Sequence, residues 1–281
     1  MTASSKSHKQ TRVLPGFGFG MSLGLGYMTL IMVIPFGVLI AAALRMGWTG
    51  FSAKALLDPR VLAAYQVSFG SALTASVLIT LFGFVVSWVL IRYRFPGRRM
   101  LDASVDIPFA LPTSVSGIAL TTLYASTGWI GQWLAPLGIQ VSYALPGIVI
   151  ALMLISLPFA VRTMQPAIME LDTELEAAAA SLGASPGQIM AKITLPTLAP
   201  AILTAFSVAF ARSLGEFGSV YFISGNLPFK TEIAPLMIIM KLEQYDYEGA
   251  AAIGAVMLLA AFVLLLIINI GQWMRRRYAT A

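Results

Sequence analysis

Arg212 and Glu216 stand four residues apart inside an otherwise apolar run, Leu198–Phe222. That spacing sets them one turn apart on a helix face. A charge in such a run is costly unless it is paired or faces a wet cavity, so the pair is a candidate for function. Two readings stand side by side: a lock between helices, or the positive lining of a path for an anion. In the second, Ser213 and Ser219 would add hydrogen-bond donors, and Gly215 and Gly218 would allow close approach or a bend. A further set opens the run Val105–Ala125, namely Pro108, Pro112, Thr113, Ser114 and Ser116. Its prolines interrupt regular backbone bonding and could bare a helix N-terminus, where anions bind readily. The hydroxyls could donate without a fixed charge; packing by small residues is the alternative.

Other chemistries are excluded. The chain has no cysteine, hence no disulfide and no thiolate metal site. It carries no Gly-x-x-x-x-Gly-Lys-Ser/Thr phosphate loop and no His-Glu-x-x-His signature. His8, the one histidine, lies in a polar N-terminal tail. The Gly-x-Gly runs from Gly16 to Gly26 follow no strand, so they do not mark a dinucleotide site. Methionines are scattered through the apolar runs, as packing requires.

The elements that must position these residues follow from composition. Of 281 residues, 58% are hydrophobic and only 11% charged, and mean hydropathy is +0.83. A soluble domain carries about 25% charged residues. Lipid is therefore the expected solvent. The net charge of +6 comes in short clusters between apolar runs, not in one patch, which argues against a nucleic-acid partner. Six runs approach the roughly 20 residues that a bilayer demands. They lie near Gly20–Leu44, Val67–Ile91, Val105–Ala125, Leu145–Val161, Leu198–Phe222 and Ala250–Met274. An all-α polytopic membrane protein is expected.

Lys and Arg set the orientation. One side holds Lys6, Lys9, Arg12, Arg92, Arg94, Arg98, Arg99, Arg162, Lys192, Arg275, Arg276 and Arg277. The other holds Arg45, Lys54, Arg60, Lys230 and Lys241. The larger set is expected in the cytoplasm, with both termini and the segment between the fourth and fifth runs.

That segment reads as two short helices with a corner. Leu171, Leu175, Ala178 or Ala179, and Leu182 recur at helical spacing. Glu170, Asp172, Glu174 and Glu176 load the first turns, as the helix dipole favours. Gly183 fits a left-handed C-terminal cap. Ser185, Pro186 and Gln188 form an N-cap, first-turn proline and capping-box pattern. A second short helix should run to Thr194 and end at Leu195-Pro196. The acidic face suits a protein partner better than an anionic lipid surface.

The same segment resembles the cytoplasmic EAA loop of ABC-importer permeases: Glu-Ala-Ala, three residues, Gly, nine residues, Ile-x-Leu-Pro. Gly183, Ile193, Leu195 and Pro196 stand at matching places. The glutamate position falls on Ala177, followed by Ala178 and Ala179; the acid, Glu176, comes one place early. The stretches "RVLPGF" (12–17), "RYRFPGR" (92–98), "DIPFALPTSVSG" (106–117) and "RSLGEFGSVYFISGN" (212–226) resemble sulfate/thiosulfate permeases. "KTEIAPLMI" (230–238) and "YDYEGAAAIG" (245–254) resemble their T-type (also called U) subunit.

The resemblance implies a type I importer permease fold with about six transmembrane helices and a cytoplasmic coupling helix. It divides the chain into a cytoplasmic tail (1–19), a first helix with its outer loop (20–62), a core permease domain (63–274, coupling loop 168–196) and a basic tail (275–281). It implies the coupling-loop residues Leu171, Leu175, Glu176, Ala177, Ala178, Gly183, Ile193, Leu195 and Pro196. Implied partners are a W-type permease subunit, two copies of an ABC ATPase, a periplasmic sulfate/thiosulfate-binding protein and membrane lipid. The outer loop, Gly225–Gly249, would be a dock for the binding protein. No cofactor is expected in this chain; ATP and Mg would be bound by the ATPase. The expected place is the bacterial inner membrane. Molybdate or tungstate remains an alternative cargo, and an ion-coupled carrier without ATPase a remote one.

Overall fold

The computed structural model describes residues 17–279, with side chains described through residue 271. Lys6, His8, Lys9, Arg12 and the side chains of Arg275, Arg276 and Arg277 lie outside the described residues, and with them most of both predicted tails. Every regular element among the described residues is helical.

Helix α1 (Phe17–Met28) passes through a π turn, Thr29–Val33, into α2 (Ile34–Arg45), making one rod of 29 residues. The short α3 (Gly47–Ala55) follows. Helix α4 (Pro59–Arg92) is 34 residues long, about 50 Å, more than the roughly 30 Å of an apolar layer. Asp58 starts it by accepting from the backbone N–H of Arg60 at 2.9 Å and Val61 at 3.4 Å.

The predicted third span is not one helix. After α5 (Arg98–Val105), it is divided into α6 (Ile107–Ala110) and α7 (Thr113–Tyr124). Pro112 has no N–H to continue a helix and forces Leu111 extended, at φ −91°, ψ 131°. Next come α8 (Gly131–Leu134), with a 3-10 turn at Ala135–Leu137, and α9 (Leu145–Met169). Helices α10 (Thr173–Ser181), α11 (Pro186–Ile189) and α12 (Leu195–Leu214) follow. The fifth predicted span is also divided, since α12 stops at Leu214 and α13 (Gly218–Ile223) restarts the chain. Helices α14 (Ala234–Glu243) and α15 (Tyr247–Ala279) complete the fold. Among the described residues five helices, not six, are long and apolar enough to cross a membrane: Phe17–Arg45, Pro59–Arg92, Leu145–Met169, Pro186–Leu214 and Tyr247–Gly271.

Packing follows the logic of a lipid solvent. On α4 the small residues Ser68, Ala72, Ala75, Ser76, Gly83 and Ser87 are buried, while Leu81, Phe82 and Val85 are exposed. Water drives no apolar association inside a bilayer, so close approach of small residues takes over. A Cβ added at Gly83 would stand 3.0 Å from the Ala160 Cβ. Helices α4, α9 and α12 form the centre. Phe210, Met237, Ile253 and Met257 extend the core to α14 and α15. Residues 18–38 of the first rod are exposed, and its α2 end packs on α15.

The end opposite the α10–α11 corner is locked by ion pairs. Arg60 donates to both oxygens of buried Glu232, at 2.8 and 2.7 Å. Lys54 reaches Asp246 at 2.7 Å and Lys241 reaches it at 3.4 Å. The segment predicted as a polar outer loop is therefore largely structured: it contains α14 and buries Glu232, Ala234 and Met237.

Candidate functional site

The corner between α9 and α12 is built by local chemistry. Asp172 caps α10 by accepting from the Glu174 N–H at 2.8 Å. Gly183 ends it with φ +87°, a conformation that costs a side-chain-bearing residue about 1–2 kcal/mol. The Gly183 N–H donates to Ala180 and the Ala184 N–H to Ala179, each at 3.0 Å, so the last carbonyls are satisfied. Ser185 and Gln188 then form the predicted capping box, with the Ser185 N–H donating to Gln188 Oε1 at 2.8 Å.

Leu195-Pro196 does not end this second helix. The chain runs on as one rod, Pro186–Leu214, through a π turn at Met190–Thr194. The turn widens the helix just before Pro196, with the Leu195 N–H donating to Met190. A proline at the start of a fresh helical register loses little, because its missing donor falls at the seam.

The predicted apolar stripe divides its work. Leu171 is half-buried against the α9–α12 core. Leu175, Ala177, Ala178 and Leu182 face outward, with Leu182 89% exposed. Ile193 is half-buried, while Leu195 and Pro196 are exposed. Glu176 turns inward. Arg92, at the last turn of α4, donates from Nη2 to both Glu176 oxygens at 2.7 Å. Thr194 adds its hydroxyl at 3.0 Å. The Arg92 guanidinium also lies 4.9 Å from the Trp88 ring centre, a cation–π contact. Two long helices and the corner thus meet at one carboxylate. From the sequence, Arg92 stands out only for orientation and for the 92–98 resemblance, and Thr194 only as a helix end. The acid at position 176 was visible, but its partners lie far away in the chain.

A second clamp sits beside the first. Arg162 on α9 donates to Asp106 at 2.9 and 2.5 Å, to Asp102 Oδ1 at 2.6 Å and to Gln165 at 2.7 Å. These bonds tie α5 to α9 and hold the Asp102 carboxyl below the usual carboxylate range.

The intramembrane candidates meet at a junction of two interrupted helices. Arg212 reaches Glu216 at 2.7 Å. Glu216 is buried, and its other oxygen accepts from the backbone N–H and the hydroxyl of Ser219, each at 3.0 Å. The carboxylate thereby serves the bare start of α13. Helix α7 packs tightly on this turn. A Cβ at Gly218 would fall 2.2 Å from Thr113 Oγ1, and one at Gly117 would fall 2.4 Å from the Ser219 carbonyl oxygen. Thr113 is therefore brought to the Glu216–Ser219 segment. The Ser213 hydroxyl lies 2.8 Å from that of Ser156 on α9. Ser116 is buried and donates to the Pro112 carbonyl at 3.4 Å, while Ser114 is exposed. Arg212 keeps 30% of its side chain exposed.

Comparison with known proteins agrees with this architecture. Residues 79–279 match the family described as binding-protein-dependent transport system inner membrane component. The chain is 47% identical over 257 residues to a probable sulfate transport system permease protein cysT of Nephroselmis olivacea, covering 92% of this chain and 90% of that one. It is 45% identical over 258 residues to the sulfate transport system permease protein CysT of Escherichia coli K12, covering 92% and 93%. Among solved structures, a bacterial ABC transporter involved in the import of the acidic polysaccharide alginate shares the fold, with TM-score 0.69 at 19% identity, over 91% of this chain and 94% of that one. A capped corner between two membrane spans, an all-helical bundle and these matches lead to one conclusion: the chain belongs to the binding-protein-dependent transport system inner membrane component family.

Proposed function

We propose that this chain is the T-type membrane subunit of an ATP-driven importer carrying sulfate or thiosulfate into the cytoplasm. The observation that carries the reading is the α10–α11 corner. It is capped on both sides, anchored through Glu176, and presents exposed Leu175 and Leu182 to a partner. Similarity to sulfate permeases supports the cargo.

The geometry supports a lever. An ATPase subunit seated on the corner would move α10 and α11 as a unit. Glu176 would pass that movement to α4 through Arg92, and to α12 through Thr194 and the continuous rod. ATP and Mg belong to the ATPase subunits, two per complex. A W-type subunit would supply the other half of the pore and a binding protein would deliver the anion from outside. Both termini and the corner would face the cytoplasm of a bacterial inner membrane.

Along the anion path, Arg212 offers charge, and Thr113 and Ser114 offer hydroxyls at the α7–α13 junction. Glu216, Ser213 and Ser116 hold the helices that present them. Hydroxyl donors with little net charge suit passage, since a dianion must be desolvated without being trapped.

The test is uptake of labelled sulfate by proteoliposomes containing both permease subunits and the ATPase, with binding protein outside and ATP inside. ATP-dependent uptake competed by thiosulfate is expected. Uptake that follows an ion gradient, or is displaced by molybdate at lower concentration than by thiosulfate, would replace the reading.

A further inference from the structure

The turn after α4 gathers three arginines around one hollow. Arg94, Arg98 and Arg99 line a concavity of about 450 Å³, together with Phe95, Gly97 and Met100. None of the three makes a side-chain ion pair or hydrogen bond among the described residues. Their neighbours differ. Arg92 is taken by Glu176, and Arg162 by Asp102 and Asp106. Asp102 acts on Arg98 only through its field, as Arg162 already holds it.

The fold imposes this convergence of like charge. Gly97, at φ +85°, turns the chain back into α5. The Arg162 clamp then pins α5, which carries Arg98 and Arg99, against α9. An anion is the natural counterpart, and guanidinium forks match tetrahedral oxyanions well.

The surroundings narrow the choice of anion. Met100 is 77% exposed, Tyr93 and Leu101 are exposed as well, and Ile107 and Phe109 extend this row of exposed apolar residues along the chain. Inorganic phosphate or sulfate would satisfy the arginines and leave that row bare. A phospholipid supplies both a phosphate for the arginines and hydrocarbon for the apolar row. The docking of a soluble ATPase is provided for at the Leu182 corner.

We propose that this concavity binds the phosphodiester headgroup of an anionic membrane lipid through Arg94, Arg98 and Arg99, with its acyl chains along Tyr93, Met100 and Leu101. The proposal rests on the chain being a membrane protein and is independent of the transported anion.

The test uses the purified complex in detergent, titrated with phosphatidylglycerol and read by native mass spectrometry. Retention of phosphatidylglycerol over phosphatidylcholine is expected, weakened roughly five-fold for each arginine changed to glutamine. Inorganic phosphate and sulfate at equal concentration should displace little of it. Arg94→Gln alone lies outside every helix and serves if the triple variant does not assemble. Equal lipid retention by wild type and variants overturns the proposal. So does displacement by phosphate or sulfate, which would assign the site to a free oxyanion. Loss of the ATPase with lipid retention unchanged would assign the arginines to a protein contact, and overturns it as well.

Discussion

Glu176 and Arg92 are 84 positions apart in sequence and meet beneath the α10–α11 corner, where one guanidinium nitrogen stands 2.7 Å from both carboxylate oxygens. The pair is about one-fifth exposed on each side, so it is shielded without being sealed. Its strength lies in what it joins, the end of one long helix to the corner that starts another.

Arg92→Ala should therefore uncouple more than it unfolds. Uptake is expected to fall about ten-fold, equivalent to roughly 1.4 kcal/mol in the coupled step. ATP hydrolysis by the assembled complex should persist. Exchanging the charges, Arg92→Glu with Glu176→Arg, should recover part of the uptake. An Arg92→Ala complex that transports normally per ATP hydrolysed would remove the lever.

Gly183→Ala meets no neighbouring atom, so its whole effect is backbone strain at φ +87°. About 1–2 kcal/mol is expected, with reduced recovery of the ATPase on co-purification. Gly183→Asn should be milder, because asparagine tolerates the left-handed region better. Equal behaviour of the two variants would refute the cap.

At the helix junction, Gly218→Ala places a methyl against Thr113 Oγ1. A loss of about 1–3 kcal/mol in thermal stability of the complex is expected. Thr113→Ala in the same chain should return part of it. Additive losses in the double variant would contradict the close crossing of α7 and α13.

Arg212→Ala alone leaves buried Glu216 with only the Ser219 donors, a loss of roughly 3–5 kcal/mol. The neutral pair Arg212→Gln with Glu216→Gln should assemble nearly normally. Sulfate uptake by that assembled double variant then separates the roles: loss of uptake assigns Arg212 to the path, and retained uptake assigns the pair to the lock.

The far end of the bundle should respond to pH. The hydrogen bond from Lys54 holds Asp246 below its ordinary pKa, and the same bond raises Lys54. The carboxylate's contribution is complete above its unfolded value, about 3.9, and is lost as pH falls through the lower folded value. The lysine's contribution is complete below about 10.4 and is lost as pH rises through its higher folded value. Hydrogen-exchange protection of α3, corrected for intrinsic rate, should be level from about pH 5 to 9 and fall only as pH drops below the unfolded carboxylate value of about 3.9. Asp246→Asn should lower protection at neutral pH and flatten the acid drop.

Much of this protein is legible in its residues because the relevant forces are local. A run of twenty apolar residues selects lipid wherever the rest of the chain goes. Asp172, Gly183, Ser185 and Gln188 each act within four positions, so the corner follows from its own sequence. The same holds for the extended break at Leu111–Pro112, where an imide cannot donate. Other features depend on residues that only folding brings together. The sequence shows only that the loop's acid comes one place early; the direction of Glu176 is set by Arg92 at the end of another helix. The spacing of Ser213 is visible in the sequence, but its contact with the Ser156 hydroxyl on α9 is not. The continuation of the α11 rod past Pro196 needed a π turn, which no local propensity announces. Side-chain pairing over such separations is decided by helix packing, and in lipid that packing is set by shape and small-residue contact. Apolar periodicity carries little of that information, which is why the spans could be read from the sequence while their meeting points required the fold.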